Sequence, residues 1–253
     1  MNIGLVLSGG GARGILHLGV IKALEEFGLK FSHIAGTSAG SIIGSLYSYG
    51  YSPDEILNII SSTGLLRSLK PAWAITGLLS LDGLRKVLLK HIPEDNFDAL
   101  KIPVIIAATE IKKGEVKYFS EGELMSAILS SCCVPAIFNP IQFKGGIYVD
   151  GGILDNLPTR AIRSKCDFLI GSHCNHIYSD FDVRNMKVIL ERSLLMAINV
   201  NTQWSKSLCD VFIEPPEAGK ISAFEWGKAK DLFDIGYNFT KQNFKPSDFD
   251  KVV

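Results

Sequence analysis

Short apolar runs and helical periods alternate along most of this chain. The run IGLVL, Ile3 to Leu7, is continuously apolar and ends in glycines, the pattern of a strand buried on both faces of a parallel sheet. Leu16, Val20, Ala23, Leu24 and Phe27 then recur at the steps of one helix face, and Gly28 is placed to stop that helix. FSHIA, Phe31 to Ala35, returns as a strand, and Ala39 to Tyr49 is again helical. Ser52-Pro53-Asp54-Glu55 has the parts of a helix start: a serine cap, a proline in the first turn and a glutamate three residues after the cap. PVIIAAT (Pro103 to Thr109), DFLIGSH (Asp167 to His173) and DVFIE (Asp210 to Glu214) predict further strands, and Met186, Leu190, Leu194 and Ala197 line a late helix. This alternation predicts an α/β fold, a mostly parallel central sheet with helices on both faces. With no repeats, low-complexity tracts or linkers, the expectation is one domain over residues 1–253.

Charge and composition narrow the function classes. The 253 residues are 47% hydrophobic and 21% charged, ordinary for a chain that buries a core. Basic and acidic residues number 26 each, so the basic excess of a nucleic-acid binder is absent and no nucleic-acid partner is expected. No apolar stretch has the length of a membrane span, and the first residues lack the basic segment of a secretory signal. The five cysteines are odd in number and have no framework spacing, which predicts free thiols and a cytoplasmic setting.

Candidate chemistry collects in loops that follow strands, where open α/β sheets bind their ligands. GTSAG, Gly36 to Gly40, has the G-x-S-x-G form that holds a nucleophilic serine, Ser38, at a strand-to-helix turn. SGGGARG, Ser8 to Gly14, follows the first strand and opens a helix, so its amides converge on negative charge, either a phosphate or an oxyanion. A dinucleotide would require an acidic ribose ligand about 20 residues further on. Ile34 to Gly40 contains none, so the oxyanion is the better reading. For the base, YVDGGILDNLP (Tyr148 to Pro158) offers Asp150 held by two glycines, while His173 and His176 follow it in the order of a Ser-Asp-His triad. HCNH, His173 to His176, lacks a known ligand spacing, and no metal is expected.

Together SGGGARG, GTSAG, SCCVPAIFNPI (Ser131 to Ile141) and YVDGGILDNLP resemble the patatin-like phospholipases, in order and spacing, over roughly the first 175 residues. The resemblance implies a three-layer α/β hydrolase with a serine–aspartate dyad. By it, Ser38 is the nucleophile and Asp150 the general base. Gly9, Gly10, Gly11 and Arg13 belong to the oxyanion loop, Gly36 and Gly40 frame the nucleophile turn, and Gly151 and Gly152 support the aspartate. Asp-Gly-Gly stands where many members have Asp-Gly-Ala, and Ser8 stands where plant members have aspartate. The resemblance further implies cleavage of lipid or phospholipid esters as a phospholipase A, lysophospholipase or esterase, transient contact with a membrane surface, and no cofactor. A regulatory protein on the same scaffold is the competing class. Gly64 to Leu81, leucine-rich with Trp73 and broken by Pro71 and Gly77, suits a lid, an acyl-chain wall or core packing.

Overall fold

The computed structural model describes residues 1–63, 70–74, 77–179 and 186–249. In chain order its elements are β1 (Ile3–Leu7), α1 (Leu16–Glu26), β2 (His33–Thr37), α2 (Ala39–Tyr49), α3 (Pro53–Thr63), β3 (Lys70–Ala74), β4 (Gly77–Ser80), α4 (Asp82–His91), β5 (Val104–Glu110), β6 (Glu115–Phe119), α5 (Leu124–Cys132), β7 (Ile141–Phe143), β8 (Gly146–Asp150), α6 (Gly152–Asp155), β9 (Phe168–Ser172), α7 (Met186–Lys206), β10 (Val211–Ile213) and α8 (Ala229–Asn243). The helix start at Ser52 has the reciprocal bonds its sequence implies. Ser52 N–H donates to Glu55 Oε2 at 2.8 Å, and Glu55 N–H donates to Ser52 Oγ at 3.3 Å. The second strand lies two residues later than its apolar run suggests, because Phe31 turns into the core and pairing starts only at His33.

The main sheet runs β10-β9-β1-β2-β5-β8-β7, with β6 also on β5. From β10 to β5 all neighbours are parallel, while β6, β7 and β8 enter antiparallel. Along β1, Ile3, Leu5 and Leu7 pack into one apolar cluster and Val6 into another, so both faces of the sheet are covered. The β3–β4 hairpin pairs apart from this sheet. Residues 64–69 and 75–76 lie outside the described residues, so the lid, wall or core role of Gly64 to Leu81 does too, except that Leu81 itself is buried in the main core.

One detail of register positions the chemistry. β6 pairs with Ile106 to Glu110 along one edge of β5. The other edge is shared: β2 pairs parallel up to Thr37 opposite Ala107, and β8 pairs antiparallel from Asp150 opposite Ala108. The carboxyl ends of β2 and β8 therefore meet head-on at two successive residues of β5. Ser38 is the next residue beyond one end, and Asp150 is the last residue of the other.

Candidate active site

The turn at Ser38 is strained. Its φ of 51° and ψ of −121° put a residue with a side chain in a region that favours glycine. The flanking glycines make room for this. A Cβ on Gly36 would lie 2.5 Å from the Gly40 carbonyl oxygen, and one on Gly40 would lie 2.3 Å from the Leu7 carbonyl oxygen. Two anchors hold the turn. Ser38 N–H donates to Ser131 Oγ at 2.8 Å, and Ser131 Oγ–H passes the bond to the Ala107 carbonyl at 2.6 Å.

The same stretch of chain fastens the aspartate. Asp150 N–H donates to the Cys133 carbonyl, and Gly151 N–H to the Ser131 carbonyl. A Cβ on Gly151 would fall 2.2 Å from the Ala107 carbonyl oxygen, so the chain must be bare there to pass over β5. Gly152 N–H donates to Asp150 Oδ1 at 2.8 Å. The carboxyl is buried, and burial raises its pKa from 3.8 to about 6 against the opposing hydrogen bonds of Gly152 and of the Ser38 side chain. Ser38 thus lies near enough to Asp150 for its side chain to oppose that rise, and burial leaves the carboxyl more basic than an exposed one. Burial and the Asp150 charge push the neighbouring Cys133 thiol up to about 12, and the Cys132 thiol also rises well above its usual value. Both thiols stay protonated.

In the glycine loop, Gly9 N–H donates to the Asn156 carbonyl, Ala12 N–H to the Ala223 carbonyl and Arg13 N–H to the Gly10 carbonyl. Among the described residues, the amides of Gly10 and Gly11 have no protein acceptor, and neither has that of Ala39 immediately after the serine. Gly9 thus shapes the loop, while Gly10 and Gly11 carry its open donors. Arg13 is buried and directed elsewhere: its Nε donates to the Ile221 carbonyl at 2.5 Å, and its guanidinium lies 3.6 Å from Glu191. It fastens the loop to α7 and to the chain around Ile221.

Neither of the two later histidines is hydrogen-bonded to this pair. His173 is buried, with Nδ1 2.7 Å from Glu214 Oε1, and His176 Nδ1 lies 3.5 Å from Glu214 Oε2. His17 is a buried pin between Ser172 Oγ and the Ser8 carbonyl, and burial lowers its pKa to about 3. Among the described residues no cluster of metal-ligating side chains occurs.

Sequence reasoning overlooked Ser131 and Asn156. Both lie in stretches it had marked, but their roles depend on contacts across more than 90 residues of chain. Asn156 is wedged between the two loops, its Oδ1 2.7 Å from where a Cβ on Gly9 would be and 3.0 Å from one on Gly152. Among the described residues its Nδ2 is buried without a partner.

The family model described as Patatin-like phospholipase matches residues 5–162. An uncharacterized NTE family protein of Mycobacterium tuberculosis is 33% identical over 163 residues, covering 63% of this chain and 45% of its own. Lysophospholipase NTE1 of Saccharomyces cerevisiae is 32% identical over 270 residues, 94% of this chain and 16% of its own. This chain therefore spans less than half the length of these curated relatives. Among solved structures, VipD from Legionella pneumophila superimposes with a TM-score of 0.54 at 18% identity, over 95% of this chain and 66% of that one, a likeness of fold.

Proposed function

Because this chain belongs to the patatin-like phospholipase family, we propose that it is a serine hydrolase of lipid carboxylic esters, working through Ser38 and Asp150 and taking a phospholipid or lysophospholipid as substrate. The observation that carries the reading is the head-on meeting of β2 and β8 on β5, which sets a strained serine against a buried carboxyl. In the first step Asp150 takes the hydroxyl proton as Ser38 Oγ attacks the ester carbonyl carbon. The carbonyl oxygen becomes an oxyanion facing the open amides of Gly10 and Gly11, donors worth about 3–4 kcal/mol each when removed. Collapse breaks the ester bond, and the departing alcohol carries off the proton from Asp150. Water then gives its proton to the same carboxylate, attacks the acyl-serine and releases a fatty acid, returning the proton to Ser38. Every step uses side chains and amides of this chain.

The relative named a lysophospholipase supports the lipid substrate. No helix of the described residues is long and apolar enough to cross a membrane, and the reading includes transient contact with a lipid surface. The five free cysteines suit a reducing compartment such as the cytoplasm. The test is covalent labelling of Ser38 by a fluorophosphonate, followed by assay against a panel of lipid classes. Labelling at Ser38 with fatty acid released from a phospholipid or lysophospholipid is the expected result. A folded protein that neither labels nor hydrolyses any ester would be a scaffold without the activity.

A further inference from the structure

Among the described residues, the longest row of exposed apolar side chains lies on α7. Met186, Ile189, Leu190, Leu194, Met196, Val200 and Trp204 are all exposed, Met186 at 84%, Val200 at 75% and Leu190 at 68%. At 100° per residue these seven side chains, with Ser193, Ala197 and Asn201, fall within one face about 160° wide that has no charged residue. The opposite face supplies buried contacts through Leu195, Thr202 and Ser205. Ile153 and Leu154 of α6 are exposed as well. An apolar surface this continuous is unusual on a protein that meets only water.

This face is coupled to the candidate reaction centre. Asn201 Nδ2 on α7 donates to the Gly152 carbonyl at 3.1 Å and to the Ile153 carbonyl at 3.3 Å, and Asn201 Oδ1 accepts from Asn156 N–H at 3.0 Å. Gly152 in turn donates to Asp150. α7 is thus joined to Asp150 through two hydrogen bonds that meet at Gly152.

Charge favours one occupant. α7 has three basic residues and a single acid, Glu191; at 100° per residue Lys187 and Arg192 flank the apolar face, Arg192 also donating to the Tyr178 carbonyl, while Lys206 lies on the opposite side. That acid turns inward, accepting from Ser222 and the Ala223 amide beside Arg13. Near the far end of the helix the exposed Arg160 guanidinium stacks 3.5 Å over the Trp204 ring. An apolar face with a basic border suits an anionic lipid surface, whereas two copies pressed together would set basic borders against each other. We infer that the exposed face of α7, continued by Ile153 and Leu154, docks on the surface of an anionic lipid assembly and sets the orientation in which the dyad meets its ester. The inference rests on the lipid hydrolase reading for its purpose, while the docking can be measured without it.

The test compares wild type with Leu190→Glu and Val200→Glu, both exposed positions away from the dyad, in co-sedimentation with vesicles of phosphatidylcholine mixed with phosphatidylglycerol. Each variant should keep the wild-type melting transition and the wild-type rate on a water-soluble short-chain ester. Each should bind the vesicles about tenfold more weakly or worse, the weight of one large apolar side chain left out of the lipid. Added salt should weaken the wild-type binding. Wild type that stays in the supernatant, or folded variants that bind as wild type does, would overturn the inference. So would a wild-type dimer that Leu190→Glu converts to monomer, which would assign the face to a second copy. A wild type that binds vesicles but hydrolyses no ester would instead refute the catalytic reading and leave the docking face in place.

Discussion

Asp150 and Glu214 each lie beside a group suited to catalysis, and their environments push them in opposite directions. Asp150 is buried beside Ser38, and burial raises its pKa to about 6. Glu214 pairs with His173 and His176; burial pushes its carboxyl up, but the hydrogen bonds and charges of the two histidines outweigh burial and hold it below its ordinary value. A carboxylate held low is a poor proton acceptor, whereas one held near neutrality can take a proton and return it. The histidine pair has the look of a catalytic relay but no serine, and the plain aspartate has both the serine and the basicity. A base is picked out by its surroundings more than by its residue type.

The hardest blow to this comparison comes from the dyad itself. Ser38→Ala should lower hydrolysis of a soluble ester by about 10³-fold or more, and Asp150→Asn by about 10²–10⁴-fold, both without loss of fold. Asp150→Asn should also change stability with a definite sign. The folded pKa of about 6 exceeds the unfolded value near 3.8, so wild type gives up stability as pH rises through that window. Asparagine has no charge to bury. Melting curves at pH 8 should show the variant more stable, by up to about 3 kcal/mol, with the gap closing below pH ~4. A variant no more stable at pH 8 than wild type would mean that Asp150 is not held at the cost its burial implies.

The glycine loop comes next in size. Gly11 has a φ of 58°, and a Cβ there would lie 2.4 Å from the Ala223 carbonyl oxygen, part of a rigid backbone. Gly11→Ala must therefore move the loop and its open amides. A rate loss of ~10²–10³, mainly in kcat, with a wild-type melting transition is the expected outcome. Normal turnover in a folded Gly11→Ala protein would put the oxyanion donors elsewhere.

In wild type, the rate on a soluble ester should climb about tenfold per pH unit below pH 6 and level off above it, following ionisation of Asp150. Asn156 should have a smaller effect. Asn156→Ala keeps both backbone bonds and removes only the side chain between Gly9 and Gly152, so kcat should fall by about tenfold while fluorophosphonate still labels Ser38. A rate equal to wild type would reduce Asn156 to its backbone contacts.

What could be read from the sequence was local. The Ser38 turn needs glycines two residues either side, the cap at Ser52 needs a glutamate three residues on, and β1 needs an unbroken apolar run; each fits inside a short window. The meeting of Ser38 with Asp150 does not. It depends on β8 running antiparallel along the edge of β5 that β2 vacates, a register set by two pairings, Thr37 with Ala107 and Asp150 with Ala108, each far longer than any sequence window. Orientation was hidden as well. Met186, Leu190 and Leu194 mark a helix correctly, but periodicity alone does not say which of two apolar faces turns inward, and here Leu195 takes the buried side. The Gly9 amide was masked in the same way, since a distant carbonyl, that of Asn156, occupies it.

The smallest effect is the sharpest test of the comparison. His173 stacks on Phe212 with ring centroids 5.9 Å apart and bonds Glu214, while its Nε2 is buried without a partner among the described residues. A general base needs its free nitrogen within reach of the nucleophile, and this nitrogen meets no hydroxyl. Replacing His173 and His176 together with glutamine should leave the ester rate within about threefold of wild type, since neither moves a proton. Stability should fall by about 1–3 kcal/mol, because a buried hydrogen bond to a carboxylate is lost or weakened and Glu214 keeps its burial. The two readouts must therefore separate: a lower melting temperature with a nearly unchanged rate below it. A double variant that melts like wild type yet loses activity as deeply as Ser38→Ala would put a histidine in the proton path, and the dyad would give way to a triad.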